Sequence, residues 1–259
     1  MKQLQAMFLN FTCSKILVGL LLIGFCMNAK AQIKYGDNKA AGHYLNTRGI
    51  KLYYESYGEG PPLLLLHING GSMKLFSNQI PYFSKRYHVI AVDSLHLKSC
   101  YVIGWSDGGI SGLVLAMRHP DKVKKLAVSG PNLWPDTTAL VPFVYHYLER
   151  TADSLKKLPP TAENKNQLKI VELDLLEPHI KLSQLHSIKC PTLVIGGDHD
   201  GIPTEHLLQI HQHIPKSYLW IVPNSSHFVA TSKKDQFSAR ITEFFKEPYR
   251  EIEGMDILQ

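Results

Sequence analysis

The chain has 259 residues, of which 44% are hydrophobic and 19% charged, and its formal net charge is +6 at pH 7. This length fits one domain with a full core, or a core with a small insertion, and the composition is that of an ordinary soluble globular protein. A long basic run with interleaved aromatic residues is missing, which argues against a nucleic acid partner.

Residues 1–31 have the features of a secretory signal peptide. They contain three lysines and no acidic residue, an apolar run from Ile16 to Met27, and a small-x-small cleavage signature at Ala29-Lys30-Ala31. The run is shorter than the ~18 apolar residues that a spanning helix needs. We therefore expect cleavage before Gln32, export to the periplasm or the exterior, and no stable membrane anchor afterwards. An uncleaved membrane anchor is the alternative.

The first part of the core, 32–133, is predicted to alternate strands and helices. An all-apolar run such as Leu63 to Leu66 is typical of a parallel strand buried on both faces. A short helix is predicted over Ile80 to Lys85, with its proline in the first turn. The other predicted strands of this part before residue 100 are Gly42 to Gly49, Ile50 to Tyr57 and His88 to Asp93.

The segment Gly104-Trp105-Ser106-Asp107-Gly108 follows the apolar strand Tyr101 to Ile103 and precedes a helix over Gly109 to Met117. A serine between glycines at a sharp strand-to-helix turn is the pattern of a nucleophile elbow. The turn points the serine hydroxyl outward, and the backbone N–H of the next residue lies at a helix N-terminus, where it can stabilise an oxyanion. Ser106 is therefore the candidate nucleophile.

The chain becomes polar and helical from residue 134, and 134–188 is predicted to form a helical cap. Its aromatic residues are expected to shape the pocket, or to form the core of the cap. The core resumes over 189–259, with strands at Thr192 to Gly197 and Tyr218 to Val222. The aromatic residues of the predicted cap are Trp134, Phe143, Tyr145 and Tyr147.

Two further residues complete a possible catalytic triad. A serine hydroxyl needs a base within hydrogen-bond reach, and the base needs an acid that orients it. Asp200 lies in the turn after one predicted strand, and His227 lies in the loop after the last one. Asp198 is the alternative acid.

With these segments the chain resembles the α/β-hydrolase superfamily of serine hydrolases. The resemblance rests on the elbow, on the segments 67–72 and 197–200, and on Ser226-His227-Phe228. It implies an α/β-hydrolase fold, which is a mostly parallel sheet flanked by helices with a small helical cap. It also implies that Ser106 is the nucleophile, His227 the base and then the acid, and Asp200 the orienting carboxylate.

The resemblance also implies an oxyanion hole and substrate contacts. The backbone N–H groups of Asn69 and Asp107 would form the oxyanion hole, although Ile68 stands where the resembled pattern has a glycine. The elbow is similar to that of valacyclovir-hydrolase-like esterases, in which the aspartate after the nucleophile binds a substrate amino group. Asp107 and Trp105 are therefore candidate substrate contacts, whereas the alternative for Asp107 is that it only caps the helix.

We predict neither a metal nor a cofactor. The histidines at 206, 211 and 213 share one predicted helix without the spacing of a zinc motif, so a solvated helix face is the expectation. Cys100 and Cys190, which follow the signal segment, are expected to be buried free thiols, although export would permit a disulfide.

The chain departs from the resembled fold between Asp93 and Tyr101. Only seven residues separate them, where that fold has a long loop and a helix of on the order of thirty more residues. Seven residues span at most ~25 Å, so we expect apolar positions on one sheet face near the elbow to be exposed and the stability to be reduced.

The leading functional hypothesis is a serine hydrolase that cleaves a small ester or related acyl compound through an acyl-enzyme on Ser106. One alternative is a non-catalytic or disabled member of the fold, which the short crossover motivates. The other is a C–C bond hydrolase, which uses the same triad.

Overall fold

A sheet of eight strands forms the centre of the described part of the chain. The structure, a computed structural model, describes residues 33–47, 50–68, 71–92 and 99–252. The predicted signal peptide at 1–31 lies outside these residues. The strands are β1 (Gly42–Thr47), β2 (Ile50–Tyr57), β3 (Pro62–Leu66), β4 (His88–Val92), β5 (Cys100–Trp105), β6 (Val123–Ser129), β7 (Thr192–Gly197) and β8 (Ser217–Val222).

The strand order in the sheet is β1-β2-β4-β3-β5-β6-β7-β8. β2 runs antiparallel to both of its neighbours, β1 and β4, and every pairing from β4 to β8 is parallel. Parallel strands end at the same edge of the sheet, so the loops after β5, β7 and β8 meet at that edge. The prediction of a mostly parallel α/β fold is confirmed.

Helices lie on both faces of the sheet and between β6 and β7. The two helices between β6 and β7 fall within the predicted cap and pack against each other. No helix of the described residues combines the length and apolarity that a membrane span requires. The helices are α1 (Gln79–Phe83), α2 (Asp107–Arg118), α3 (Pro142–Lys156), α4 (Ala162–Leu176), α5 (Thr204–His213), α6 (Val229–Ser232) and α7 (Lys234–Lys246), and Met73–Phe76 and Leu182–Ser187 are 3₁₀ turns.

The cap helices begin where local chemistry favours a helix start. Pro142 occupies the first turn of α3, where a backbone N–H would have no acceptor within the helix, so the lack of this group in proline costs no hydrogen bond. At the start of α4, the Thr161 hydroxyl accepts a hydrogen bond of 3.1 Å from the backbone N–H of Asn164. The sequence therefore specifies both helix starts.

The sheet buries apolar side chains on both faces because its central strands alternate. Leu63 and Leu65 pack into one core, beside Phe237 of α7, whereas Leu64 between them packs into the other, beside Leu113 of α2. Each fully buried leucine contributes about 2 kcal/mol of transfer free energy. This two-sided burial holds the strand ends in fixed positions.

The short connection between β4 and β5 runs through 93–98, which lie outside the described residues. β4 and β5 flank β3 and run parallel to it, as the resembled fold requires. On the face where apolar exposure is expected, Leu64 is 6% exposed and Ile90 is 3% exposed. The expectation of exposed apolar positions is therefore wrong for these two residues.

Candidate active site

Ser106 lies at the junction of β5 and α2 in a backbone conformation that few residues adopt. Its φ is 54° and its ψ −119°, and its N–H donates to the Ser129 carbonyl at 2.8 Å. A positive φ in a non-glycine residue costs about 1–3 kcal/mol and persists where the surroundings enforce it. Ser106 therefore has the strained elbow conformation that the sequence predicts.

The glycines around Ser106 are required by close backbone approach. A Cβ on Gly104 would lie 2.2 Å from the Gly108 carbonyl oxygen, and one on Gly108 would lie 2.1 Å from the Leu66 carbonyl oxygen. Both distances are far below any normal carbon–oxygen contact, and the atoms that would have to move are backbone. The tight packing of β5, α2 and β3 thus depends on these two glycines.

The elbow also begins α2, and Ser106 is its N-cap residue. The Ser106 side chain makes no capping hydrogen bond, so its hydroxyl is not engaged by its own helix. The first turn of a helix has N–H groups without helical partners and a partial positive charge. The N–H of Asp107, the predicted oxyanion donor, lies at this position. Asn69, the second predicted donor, lies outside the described residues.

Ile68 stands where the resembled pattern has a glycine. Among the described non-glycine residues, Ser106 and Asn224 are the ones with positive φ, so the backbone of Ile68 is in an ordinary conformation. The β-branched side chain therefore causes no conformational strain at this position.

His227 and Asp200 are joined by a short hydrogen bond. The Nδ1 of His227 lies 2.7 Å from Oδ1 of Asp200, whose side chain is completely buried. The N–H groups of Gly197 and Ile202 also donate to this carboxylate, at 3.2 and 3.1 Å. A carboxylate at this position makes Nδ1 the donor and leaves Nε2 as an acceptor, which is the form that a general base needs.

Asp198, the alternative acid, has a different role. Its two carboxylate oxygens accept from the N–H groups of Asn224 and Ser225, each at 2.9 Å. These backbone hydrogen bonds, together with a hydrogen bond from the His199 side chain, hold the pKa of Asp198 well below its usual range. Asp198 thus holds the backbone of the loop that carries His227, whereas Asp200 contacts the ring.

Gly130, after β6, makes room for the His227 ring. Its φ is +60°, and a Cβ there would lie 2.7 Å from Cε1 of His227. We expect Gly130→Ala to lower kcat about 100-fold, because a misplacement of 1 Å at a catalytic group costs about that much. Ester hydrolysis by the purified variant measures this.

Gly36→Ala is the matched control for that variant. Gly36 also has a positive φ, +86°, but a Cβ there would meet only ordinary contacts, the nearest at 3.6 Å. Both substitutions carry the conformational cost of about 1 kcal/mol, and only Gly130→Ala affects the base. Equal activity of the two variants would contradict the placement of His227.

Trp105 has no exposed surface for a substrate to contact, contrary to the prediction. It is completely buried, and its indole N–H donates to the backbone carbonyl of His227 at 2.9 Å. As the last residue of β5, Trp105 alternates with Ser106 and points into the core. It connects the elbow strand to the histidine loop instead.

A cavity of about 380 Å³ contains Ser106 and His227 in its wall. The cap contributes three aliphatic residues, which are Leu140 before α3 and, four positions apart on one face of α3, Val144 and Leu148. The remaining lining residues are Asp107, Asn132, Asp174, Glu177, His199, Gly201, Ile202, Ser226 and Phe228.

The four cap aromatics do not line this cavity, so the prediction that they shape it is wrong. Phe143 is 74% exposed and Tyr147 56% exposed. Tyr145 and Trp134 are partly buried and pack against the core cluster that contains Leu64 and Leu113, on one face of the sheet. The helical phase of α3 points Val144 inward and therefore its aromatic neighbours elsewhere.

Sequence reasoning missed two acidic residues of the cavity. Asp174 lies near the end of α4 and Glu177 follows that helix, and both line the cavity with Asp107. The described lining residues include no lysine or arginine. The only available signal was the position of these acids at the end of a cap helix, which does not reveal which way they point.

His206 is buried, contrary to the expectation of a solvated histidine face on α5. It is 1% exposed, and its Nε2 accepts from the backbone N–H of Leu133 at 3.0 Å. Burial lowers its pKa to about 4. His211 is partly buried and bonded to Ser217. The described residues contain no group of three or more possible metal ligands.

The burial of His206 predicts an acid-sensitive fold. The neutral form is favoured in the folded state, so the unfolded state binds more protons between pH about 4 and 6.5, and stability falls as the pH is lowered through this window. The loss reaches about 3 kcal/mol near pH 4. We expect His206→Gln, which keeps an acceptor for Leu133, to reduce this loss in urea unfolding at pH about 7 and about 4.5. An unchanged pH dependence of stability in this variant would contradict the attribution of the acid sensitivity to His206.

Sequence comparison finds relatives named as hydrolases, although no family model matches the chain. The mouse "Serine hydrolase BPHL" is 24% identical, over 76% of this chain and 84% of its own length. A "Pimeloyl-[acyl-carrier protein] methyl ester esterase" of Nitrosospira multiformis is also 24% identical, over 75% of this chain and 98% of its own.

Structural comparison finds the same fold. A carboxylesterase from Bacillus subtilis superimposes with a TM-score of 0.64 at 19% identity, over 79% of this chain and 91% of that one. A meta-cleavage product hydrolase from Pseudomonas fluorescens gives a TM-score of 0.60 at 17% identity, over 80% of this chain and 98% of that one. The chain therefore has the α/β-hydrolase fold, and it is similar to relatives that are named as a serine hydrolase and a methyl ester esterase.

Proposed function

We propose that the chain hydrolyses small carboxylic esters through an acyl-enzyme on Ser106. The observation that carries this proposal is the hydrogen bond of 2.7 Å between His227 and Asp200, with His227 and the strained Ser106 in the wall of one cavity. A relative named as a methyl ester esterase supports the ester as the substrate class.

In the acylation step the Ser106 Oγ attacks the carbonyl carbon of the ester while Nε2 of His227 takes its proton. The negative charge that develops on the carbonyl oxygen is stabilised by the N–H of Asp107 at the start of α2. His227 then gives the proton to the leaving alcohol, and the acyl group remains on Ser106. Asp200 stabilises the imidazolium that exists between these transfers.

Deacylation repeats the chemistry with water. His227 takes a proton from a water molecule, which attacks the acyl carbon, and the proton then passes to the Ser106 Oγ as the carboxylic acid leaves. The aliphatic cap residues Val144 and Leu148 border the cavity, where they reduce access of bulk water to the acyl group.

The test is labelling of the purified chain by a fluorophosphonate, with the adduct located by mass spectrometry. We expect labelling of Ser106 in the native chain and none after heat denaturation, because the reaction needs the assembled triad and oxyanion site. Ser154→Ala, which changes an exposed serine of α3, is the control and should label like the parent. A native chain that binds acyl compounds but never labels would favour the non-catalytic alternative.

The C–C bond hydrolase is the second candidate and uses the same triad. Parallel assays with p-nitrophenyl acetate and a meta-cleavage product separate the two. Turnover of the second compound alone would overturn the ester proposal.

We also propose that the chain is exported and that its signal peptide is removed before Gln32. The apolar run from Ile16 to Met27 and the small residues at 29 and 31 support this. Expression of the full chain in a bacterium, followed by cell fractionation and N-terminal sequencing, tests it. A membrane-bound product that retains residues 1–31 would support the uncleaved anchor instead.

A further inference from the structure

A buried glutamine, Gln79, contacts the segment that follows His227. Gln79 is the first residue of α1 and is completely buried. Its side-chain Nε2 donates a hydrogen bond of 2.7 Å to the backbone carbonyl of Ala230, which lies 151 positions further along the chain and is also completely buried. This bond therefore joins α1 to the chain just beyond the histidine of the triad.

The amide of Gln79 lies where packing alone favours an apolar side chain. Ile80, the next residue of α1, belongs to the same apolar cluster as Val229 and Ala230. The Oε1 of Gln79 is buried and has no hydrogen-bond partner in the described part of the chain. A buried oxygen without a partner costs free energy that a methionine of similar length would avoid. The N–H donor is therefore what the glutamine contributes at this position.

The carbonyl of Ala230 is a group that needs such a donor. Ala230 belongs to α6, which has four residues, and the last four carbonyls of a helix have no donor within it. The Gln79 amide satisfies one of these buried carbonyls. Because α6 begins directly after Phe228, the neighbour of His227, a fixed α6 also fixes the end of the histidine loop.

Gln79 completes a set of three side chains that hold the backbone around His227. Asp198 accepts hydrogen bonds from the loop before His227, and the indole of Trp105 donates to the carbonyl of His227 itself. Gln79 holds the backbone after it. The three contacts come from different parts of the chain, and a catalytic group has to be held to within about 0.5 Å of its productive position.

We propose that Gln79 is a positioning residue for His227 and acts through the backbone of α6. The proposal rests on the ester hydrolysis proposed above and adds to it a residue outside the triad and its loops. Without the bond to Ala230, His227 shifts relative to Ser106, so proton transfer slows. Substrate binding stays the same, because the buried Gln79 does not line the catalytic cavity.

Gln79→Met tests the proposal, since it removes the donor and keeps the length of the side chain. We expect kcat for p-nitrophenyl acetate to fall on the order of 10- to 100-fold and KM to stay within about twofold, because a displacement of up to ~1 Å at a catalytic group costs this much. Thermal melts of the variant show whether it is folded under the assay conditions.

Lys125→Met is the matched control. Lys125 also donates to backbone carbonyls near a helix end, those of Phe244 and Glu247, and none of these three residues lines the catalytic cavity. Both variants lose a side-chain-to-backbone hydrogen bond, so both should melt at a lower temperature than the parent. Only Gln79→Met should lose activity, and Lys125→Met should keep kcat within about twofold of the parent value.

An NMR measurement reports the position of the His227 ring without requiring turnover. The Nδ1 proton of His227, which is hydrogen-bonded to Asp200, gives a downfield signal, and the signal is identified by its loss in His227→Asn. We expect Gln79→Met to shift or broaden this signal and Lys125→Met to leave it unchanged.

Two results would overturn the proposal: a folded Gln79→Met with the kcat and the NMR signal of the parent, or equal losses of kcat in Gln79→Met and Lys125→Met. If Gln79→Met does not fold, Gln79→Asn, whose amide is one methylene shorter, is measured in the same way. Failure of the proposed function looks different, because the parent then hydrolyses no ester. The NMR comparison then decides alone, and an unchanged signal would reject Gln79 as a positioning residue.

Discussion

Ser106→Ala should lower kcat for ester hydrolysis about 10⁶-fold, and His227→Ala should lower it by a similar factor. The two groups act as one unit, since the serine is a nucleophile only when the histidine takes its proton. The double variant should therefore be no slower than either single variant, with a residual rate that comes from the oxyanion site and substrate binding. Steady-state kinetics with p-nitrophenyl acetate measures all three.

Folding must be unchanged in these variants for the comparison to hold. Ser106 has a positive φ that alanine also has to adopt, so thermal melts of each variant accompany the kinetics. Full activity of Ser106→Ala would assign the turnover to another nucleophile. An additive loss in the double variant would show that the two side chains act independently.

Asp200→Asn should lower kcat about 10⁴-fold, whereas Asp198→Asn should change it by less than about tenfold. The neutral amide no longer requires Nδ1 of His227 to be the donor, so the ring adopts the wrong tautomer and the imidazolium loses its counter-charge. The Asp198 carboxylate accepts hydrogen bonds from the backbone of the histidine loop and contacts its neighbour His199, so we expect its replacement to affect loop order and the melting temperature.

The two variants discriminate between the two acids because Asp198 and Asp200 lie in the same turn, yet Asp198 contacts the loop backbone and Asp200 contacts the His227 ring. A large kcat loss in Asp198→Asn with a normal Asp200→Asn would reverse the assignment.

The strand pattern and the elbow could be predicted from the sequence because they depend on local chemistry. All-apolar runs such as Leu63 to Leu66 fit a strand buried on both faces. Glycine is required at 104 and 108 because a Cβ at either position would lie less than 2.5 Å from a backbone oxygen. The order of serine, acid and base along the chain then placed Asp200 and His227 at one edge of a parallel sheet. Each of these inferences rests on a feature that is determined by neighbouring residues in the sequence or by the order of the strands.

Other features depend on orientations that a single sequence does not contain. Trp105 and Ser106 are adjacent, yet one is buried and the other faces the cavity. On α3 the aliphatic Val144 lines the cavity and Phe143 faces solvent, contrary to the prediction that the cap aromatics shape the pocket. The burial of His206 likewise follows from the packing of α5 on the sheet, since its spacing alone fits an exposed face.

The short connection between β4 and β5 is the clearest difference from expectation at the level of the fold. A missing helix should expose apolar side chains, yet Leu64 and Ile90 on that face are buried. Seven residues are few for this connection, but the neighbouring strands keep the order and direction that place Ser106 at the sheet edge. The pairing of β5 with β3 and β6 therefore places Ser106 at this edge.

The turn from Gly197 to Asp200 holds His227 in two ways at once, through the loop backbone by Asp198 and through the imidazole by Asp200. In protein engineering, this turn and the histidine loop should therefore be exchanged together. We expect a chimera that imports residues 197–200 together with 223–228 from a homologue to keep the contacts of both aspartates, because the aspartates lie in one segment and their partners in the other. Directed evolution of this chain would therefore gain more from libraries that vary the two segments jointly than from separate scans of each.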